Sequence, residues 1–295
     1  MIKVISHNIS GAGYREGKEG EKRVLKPFVI ENALSFNPDV IFFLEYAFPS
    51  NHEEVVKQLN DAGYNVRTTD VPTQKHQNGI LAAVKEGIEI FAKETKMYTK
   101  NTKNLEHPDA LVLTLKKNNE KYKVAGIRVR VGSSLSDSER LKLKADQIQV
   151  ITSFLAESSE RTVVVGDTNY EASFLEEGHL GTSSEYKDKK RIITSFVKVF
   201  WKDCNFVVPK GDSYQFKRKK DKKPIRVNCD LAITKNINID EVSVEPYNWD
   251  FEDKDEIYKG KNRFEYASIT EGYYPDHPAV ILTVEEAALF RHHKS

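Results

Sequence analysis

The chain has 295 residues, of which 39% are hydrophobic and 30% are charged, and this composition is typical of a globular protein with one large domain or two small ones. It has no apolar run near the roughly 20 residues that cross a bilayer and no secretory leader at its N-terminus, so we expect an intracellular, cytoplasmic protein. Its two cysteines, Cys204 and Cys229, can form at most one disulfide, cannot by themselves supply a four-ligand zinc site, and are expected to be buried free thiols. Its net charge of +1 excludes a globally basic surface.

The first half of the chain alternates strand and helix patterns, as layered α/β folds do. The apolar run 40–44 is typical of a strand covered on both faces. A helix is predicted over 24–36, and Ser50 with Glu53 forms a capping-box pattern before a short helix that Gly63 ends. The strands predicted in this half are 2–6, 39–45, 79–84, 110–115 and 121–131.

The second half opens with the clearest helix, over 139–156, and then returns to strands. One face of this helix is apolar at helical spacing and carries Leu141, Ala145, Ile148, Ile151 and Leu155. The strands predicted after it are 161–166, 214–217, 226–233, 239–244 and 278–284. The polar segments near 170–190 and 247–274 are predicted as surface insertions. The two halves share a rhythm that permits two packed sheets in one domain.

Polar residues recur at the ends of the predicted apolar strands, where open α/β sheets place their ligands. In chain order these residues are Asn8, Glu45, Asp167, Asn169, Asp230, Asp276 and His277. Each has an ordinary alternative: Asn8 fits an Asx turn, Glu45 fits a surface charge, Gly166-Asp167-Thr168-Asn169 fits a turn, and Asp276-His277 fits a helix cap or loop pair. The ordinary explanations weaken because all of these residues occur in one order on one type of element.

Five short motifs in a fixed order span most of the chain. They are Ser6-His7-Asn8-Ile9, Asp39-Val40-Ile41-Phe42-Phe43-Leu44-Glu45, Gly166-Asp167-Thr168-Asn169, Asn228-Cys229-Asp230-Leu231 and Pro275-Asp276-His277-Pro278. Together they resemble the motifs of the endonuclease/exonuclease/phosphatase superfamily, which includes pancreatic-type deoxyribonucleases, 5′-tyrosyl-DNA phosphodiesterases and inositol-polyphosphate phosphatases. The resemblance implies an α/β fold, a four-layer sandwich of two packed mixed β-sheets flanked by helices, as a single domain over residues 1–295.

The resemblance also implies a phosphoesterase that depends on a divalent metal, Mg²⁺ or Mn²⁺. A phosphodiester resists attack because its oxygens repel an anionic nucleophile, and a hard cation held by carboxylates neutralises that charge. Glu45 is the expected principal metal ligand, with Asn8 and Asp276 near the same ion. The remaining catalytic positions that the resemblance implies are Asp167, Asn169, Asp230 and His277, with Asn8 counted among them as well.

Each of these side chains suits a step of phosphodiester hydrolysis. Asp167 can accept a proton from the attacking water, and Asn169 can orient that water or the phosphate. His277 can donate a hydrogen bond to a non-bridging oxygen in the transition state, while Asp230 holds the imidazole in position.

The chain departs from the pattern of the superfamily at the end of a central strand. Most members carry a histidine or tyrosine there, near the leaving oxygen, and here Arg128 takes that place. An arginine binds phosphate but is a poor proton donor near neutral pH, because its guanidinium holds its proton too strongly. The leaving group is then helped by the metal or by water. His7 replaces a common tryptophan and either contacts substrate or packs locally, and Ser10 stands where repair nucleases often have a metal-binding aspartate.

A lysine-rich run lies between two predicted strands, just before the strand with Asp230. It predicts a hairpin tip that contacts a phosphate backbone, and the alternative is a solvated loop. The substrate-binding residues predicted in this run are Lys219, Lys220, Lys222, Lys223 and Arg226.

The sequence therefore predicts a divalent-metal-dependent phosphodiester hydrolase, a nuclease acting on DNA or RNA. One alternative is a phosphomonoesterase acting on an inositol phosphate or another small phosphate, because the basic run suits any polyanion. The other is a catalytically weak relative that binds nucleic acid or protein, an alternative for which Arg128 is the main argument.

Overall fold

The computed structural model describes residues 1–9, 24–70, 78–96, 109–130, 137–169, 204–211, 213–217, 224–248, 251–252, 257–258 and 277–286. Over these ranges the helices are α1 (Pro27–Ser35), α2 (His52–Asp61) and α3 (Asp137–Ala156), with one 3-10 turn at Ile239–Glu241. Among the helices in this part of the chain, none combines the length and apolar character that a bilayer crossing needs.

Two six-stranded mixed sheets form the body of the protein. The first has the order β13-β16-β1-β2-β4-β3 and consists of β1 (Ile2–Asn8), β2 (Val40–Tyr46), β3 (Tyr64–Thr68), β4 (Gly79–Lys85), β13 (Val242–Val244) and β16 (Ala279–Val284). The second has the order β5-β6-β7-β8-β12-β9 and consists of β5 (Glu89–Lys96), β6 (Ala110–Lys117), β7 (Glu120–Arg128), β8 (Arg161–Asp167), β9 (Cys204–Val207) and β12 (Asp230–Lys235). Two hairpins stand apart: β10 (Tyr214–Lys217) with β11 (Pro224–Val227), and β14 (Phe251–Glu252) with β15 (Ile257–Tyr258).

Three apolar clusters arrange these elements in four layers. The helices α1 and α2 pack on the outer face of the first sheet, α3 packs on the outer face of the second, and the inner faces of both sheets share the central cluster. In the centre, a Cβ atom on Gly126 would lie 2.4 Å from the ring of Phe42, so glycine allows the two sheets to approach there. The predicted fold class, a four-layer α/β sandwich of two mixed sheets, is confirmed. The single domain over 1–295 stays a prediction.

The sheet topology brings several chain segments to one edge of the sandwich. The strands β1 and β2 run parallel, as do β7 and β8, so their carboxyl ends meet in pairs. The strands β12 and β16 run antiparallel to β8 and β1, so each begins where its neighbour ends. Polar residues at four strand ends and two strand starts therefore lie together.

Two predicted features of the N-terminal half are wrong, one for a local reason and one because of a contact with a distant residue. The helix predicted over 24–36 begins only at Pro27, whose ring is preorganised for a first helical turn. The predicted capping box is absent, because α2 begins after Asn51. The side chain of Asn51 instead accepts from the backbone N–H of Leu25 (3.0 Å) and donates to its carbonyl (2.8 Å).

The predictions for the C-terminal half also need correction. The strand predicted over 226–233 is two strands, β11 and β12, that belong to different sheets. The strand predicted over 239–244 begins as a 3-10 turn and continues as β13. Tyr247 is buried rather than part of a surface insertion, while most of 170–190 and 247–274 lies outside the described residues. Both cysteines are free thiols, with Cys229 buried and Cys204 only half-buried.

Candidate active site

Seven of the predicted site residues lie at the edge where the strand ends meet. The structure places there Asn8, Glu45, Arg128, Asp167, Asn169, Asp230 and His277. The predicted metal ligand Asp276 and the predicted substrate-binding lysines Lys219, Lys220, Lys222 and Lys223 lie outside the described residues. The backbone of Arg226 pairs with Gln215 in the β10–β11 hairpin. The functional roles of all these residues stay predictions.

The amide of Asn8 joins carboxylates from the two sheets. Its nitrogen donates to Oε1 of Glu45 (3.2 Å) and to Oδ2 of Asp167 (3.0 Å). Glu45 belongs to the first sheet and Asp167 to the second, so one side chain spans the seam between them. Because Asn8 is only 1% exposed, this link is shielded from competing water.

Glu45 occupies an irregular position in β2. The pairing of β2 with β4 shifts its register between Leu44 and Tyr46, and Glu45 itself has a φ of 54°, in the left-handed region that side chains other than glycine rarely adopt. Such bulges re-aim side chains next to functional sites, and here the bulge turns Glu45 toward β7.

A guanidinium and two amides hold the Glu45 carboxylate. Arg128 donates from Nε to Oε1 at 2.8 Å, and Asn78 donates to Oε2 at 3.2 Å, in addition to the bond from Asn8. Burial raises the pKa of this carboxyl, but the charge of Arg128 and the hydrogen bonds outweigh it, and the net pKa is lowered. The group is therefore an ionised carboxylate with amide side chains beside it, which is a donor set that fits a hard divalent cation.

Asp167 ends β8 and is completely buried. Asn169 donates to it twice, from its backbone N–H to Oδ1 (2.6 Å) and from its side-chain amide to Oδ2 (2.9 Å). The Asn169 backbone has a φ of 48°, which turns the side chain back over the strand end. Burial is the largest influence on the Asp167 carboxyl and raises its pKa to about 7, with opposing effects from His277 and Arg128. A carboxyl with that pKa can accept a proton at neutral pH.

Asp230 and His277 form a buried pair beside Asp167. Oδ2 of Asp230 lies 2.6 Å from Nδ1 of His277, and the two residues are 1% and 5% exposed. Two further residues fix the backbone of Asp230: Tyr247 donates its hydroxyl to the carbonyl at 2.5 Å, and the Ser213 hydroxyl accepts from the N–H at 3.1 Å. The imidazole is thus oriented by a carboxylate that is itself held rigidly.

Some residues of the site carried no local signal in the sequence. Asn78 precedes β4 and reaches Glu45 only because β4 pairs with β2. Two residues beyond the end of β7, Arg130 makes a bidentate ion pair with Asp109 (3.0 and 3.1 Å). The side-chain oxygen of Gln147 accepts from the backbone N–H of Arg130 at 2.7 Å. These buried contacts join β7 to α3 and support the strand end that carries Arg128.

His7 is a buried neighbour of the site and is expected to make the protein acid-labile. Burial lowers the pKa of His7 to about 4, although its hydrogen bond to the carbonyl of His277 (3.1 Å) opposes this. A histidine with a lowered folded pKa contributes stability above its unfolded pKa of about 6.5, and this stability is lost as the pH falls toward 4. The shift corresponds to about 3 kcal/mol, and His7→Gln is expected to remove that part of the pH dependence. Urea denaturation of the wild type and His7→Gln in EDTA between pH 4 and pH 7 measures this pH dependence. If the free energies of unfolding of the two proteins change with pH in parallel, His7 is not the source of the acid lability.

No family model and no curated protein sequence match the chain, but solved structures match its fold. TDP2 from D. rerio, solved in complex with a single-strand DNA product, has a TM-score of 0.62 at 12% identity, over 97% of this chain and 99% of that chain. Beta toxin from Staphylococcus aureus has a TM-score of 0.62 at 15% identity, over 97% and 100%. The human Nocturnin catalytic domain, solved with a bound sulfate anion, has a TM-score of 0.56 at 14% identity, over 96% and 94%.

These proteins share one architecture over nearly the whole of each chain. The chain shares the fold of these solved structures, and the resemblance inferred from the five motifs agrees with that fold. At identities of 12% to 15% the likeness shows the fold, so the activity must be argued from the site itself.

Proposed function

We propose that the protein is a divalent-metal-dependent phosphodiester hydrolase. The observation that carries this proposal is the continuous polar chain in which Asn8 joins Glu45 to Asp167. The Asp230–His277 pair lies beside it, with ligand atoms of Asp167, Asp230 and His277 within 4.8 Å of one another. A metal-binding carboxylate, a base with a pKa near neutrality and an oriented imidazole are the groups that hydrolysis of a phosphodiester needs.

Glu45, with Asn8 beside it, would hold the metal, which we propose to be Mg²⁺ or Mn²⁺. When bound, the ion neutralises the phosphate oxygens and orients the phosphorus for attack. Asp276 is proposed as a further ligand because it precedes His277 in the chain. Arg128 supplies a positive charge beside Glu45 and suits a phosphate oxygen, whereas a guanidinium is a poor proton donor.

Asp167 accepts the proton of the attacking water. The side-chain amide of Asn169 is used twice, toward Asp167 (2.9 Å) and toward the carbonyl of Val129 (2.7 Å), so Asn169 positions the base and offers its amide oxygen to the water. The Asp230 carboxylate orients the imidazole of His277 through Nδ1, and the other ring nitrogen can donate to the phosphate as negative charge develops.

Glu45→Gln is expected to weaken Mg²⁺ binding and to lower turnover by about 10²-fold or more, because stabilisation of charge by a metal is worth several kcal/mol. The measurements are calorimetric titration with Mg²⁺ and hydrolysis of bis-p-nitrophenyl phosphate with and without EDTA. Glu86→Gln is the matched control, since Glu86 is exposed and follows β4 at the opposite edge of the sheet. Full activity of Glu45→Gln in limiting Mg²⁺ would show that Glu45 is not the principal metal ligand.

For the substrate class, we propose nucleic acid, DNA or RNA, over a small phosphate. The proposal is supported by the lysine-rich run that directly follows β10 and precedes β11, close in sequence to Asp230. Inositol phosphates are the second candidate substrates, and a catalytically weak binding protein is the third. Turnover of DNA, RNA and inositol phosphates in one panel separates these possibilities. The cytoplasmic location stays a prediction.

Replacing Lys219, Lys220, Lys222 and Lys223 with alanine is expected to flatten the salt dependence of nucleic-acid binding. With fewer lysine–phosphate contacts, the protein releases fewer counterions from the nucleic acid when it binds. The loss is expected to be similar for different sequences, and the chemical step should change less than binding. The control replaces lysines at the opposite edge or on α2: Lys57, Lys116, Lys121 and Lys235. If the quadruple lysine variant binds DNA and RNA with unchanged affinity and unchanged salt dependence, the lysine-rich run does not contact nucleic acid. That result would favour the solvated-loop interpretation and a small phosphorylated substrate.

A further inference from the structure

We propose that Asp167, Cys229, Asp230 and His277 form a zinc site, and that zinc bound there inhibits the hydrolase. One ligand atom from each residue lies within 4.8 Å of the others. All four residues are buried, with exposed fractions of 0%, 5%, 1% and 5%. The site overlaps the proposed catalytic residues but contains a thiol that the hydrolytic mechanism does not use.

The fold places the thiol beside the acids through backbone contacts. The Ser213 hydroxyl accepts from the backbone N–H of Cys229 at 2.7 Å. The carbonyl of Cys229 accepts from both the N–H and the hydroxyl of Thr168, each at 2.8 Å. Because Asp230 pairs with Asp167 in the β12–β8 register, the residue before Asp230 is held next to the end of β8.

This donor set distinguishes zinc from the metal proposed at Glu45. Zinc prefers four ligands that include thiolate and imidazole, whereas magnesium prefers six oxygen ligands and retains water. Ligand atoms in a tetrahedral zinc site lie about 3.3–3.8 Å apart, as bonds of about 2.0–2.3 Å require. Since no two of the four ligand atoms are more than 4.8 Å apart, the widest pair would have to close by at most about 1.5 Å to reach this range. Binding releases to solvent the thiol proton of Cys229 and any proton held on the Asp167 carboxyl or on the coordinating nitrogen of His277.

Zinc in this position removes two groups from catalysis. Asp167 could no longer accept a proton, and His277 could no longer donate to the phosphate. Glu45 is not part of the cluster and keeps its contacts with Asn8, Asn78 and Arg128. Inhibition by zinc is therefore expected to persist at saturating Mg²⁺. This part of the inference rests on the proposed hydrolytic function, whereas zinc binding does not.

Binding is tested with cobalt as a spectroscopic probe and with zinc in calorimetry. Cobalt is expected to give a thiolate-to-metal charge-transfer band in the near ultraviolet with the wild-type protein. Cys204→Ser is the matched control, because Cys204 pairs with Lys235 at the far end of β12 and should keep the band. Cys229→Ser should lose the charge-transfer band and bind zinc at least about tenfold more weakly. Removing a residue that only hydrogen-bonds a metal ligand already lowers metal affinity by about 10- to 100-fold.

Activity is tested by titrating zinc into each protein at saturating Mg²⁺, with each rate normalised to its own zinc-free value. Cys229→Ser should need at least tenfold more zinc for half-inhibition, on the order of its lost affinity, and Cys204→Ser should match the wild type. If Cys229→Ser does not fold, the cobalt spectra of the wild type and Cys204→Ser still decide whether Cys229 is a ligand.

The outcomes separate the two proposals. A charge-transfer band in a protein that hydrolyses no phosphoester supports the zinc site and overturns the proposed function. Hydrolysis without a charge-transfer band, or zinc affinity unchanged by Cys229→Ser, overturns the zinc site and leaves the proposed function standing. Zinc binding through Cys229 with no loss of turnover overturns the inhibitory role.

Discussion

Gly166→Ala is expected to lower the free energy of unfolding by more than about 4 kcal/mol, a large part of the 5–15 kcal/mol of an ordinary domain. Gly166 has a φ of 148°, and a Cβ atom there would lie 2.0 Å from the carbonyl oxygen of Ile127 and 2.9 Å from its carbonyl carbon and its nitrogen. Ile127 is the paired residue on the neighbouring parallel strand, so backbone rather than a movable side chain blocks the space. The measurement is urea denaturation of the purified variant, or loss of soluble protein.

Gly87→Ala is the matched control for backbone conformation. Gly87 also has a positive φ, 85°, but a Cβ atom there would meet no other atom within 4 Å. The expected loss is about 1 kcal/mol, the cost of the left-handed conformation alone. Equal losses in the two variants would mean that the contact with Ile127 is unimportant.

Asp167→Asn is expected to lower turnover by about 10²–10⁴-fold, the usual contribution of a general base, while leaving the protein folded. It is also expected to change stability with pH in a defined direction. The pKa of Asp167 is raised to about 7, chiefly by burial, so its contribution to stability is present at low pH and is lost as the pH rises toward 7. The asparagine variant, which cannot ionise, should gain stability relative to the wild type between about pH 4 and pH 7 and hold that gain above it.

Denaturation in EDTA across this pH range measures the stability difference, and hydrolysis assays measure the turnover. Asp61→Asn is the control, because Asp61 is a surface residue of α2 that pairs with Lys57. A variant that keeps wild-type turnover would remove Asp167 from the mechanism. If the free energy of unfolding of the variant changes with pH in parallel with that of the wild type, Asp167 is ionised over the whole pH range measured.

The sequence predicted the strands that bear the site because their apolar runs are continuous. The strands β2 and β8 are buried on both faces, and the polar residue that ends each run is conspicuous. The order of these residues then predicted a shared edge, which the parallel pairs β1–β2 and β7–β8 provide. A strand that is buried on both faces requires a continuous apolar run, so its position can be predicted from the sequence.

Features that depend on contacts between distant residues were not predictable. The strand β5 is largely exposed, so its sequence lacks a long apolar run. The division of 226–233 follows from the bonds of Cys229 to Thr168 and Ser213, neither of which is a sequence neighbour. Likewise Asn51 has the chemistry of a helix cap, but Leu25 engages its side chain instead. In the last two cases tertiary hydrogen bonds override the local propensity of the sequence.

In the proposed hydrolase, the bridge made by Asn8 has a consequence for how the protein can change over evolution. The reacting groups are divided between the sheets, with Glu45 on one and Asp167 on the other, and their separation follows the thickness of the apolar layer between them. A substitution deep in that layer, at Phe42 or opposite it at Gly126, alters the distance between metal and base without touching either. For the proposed reaction, residues of the inner core therefore set the geometry of the site as well as the stability of the fold, and a change in the packing of one sheet must be matched by the other.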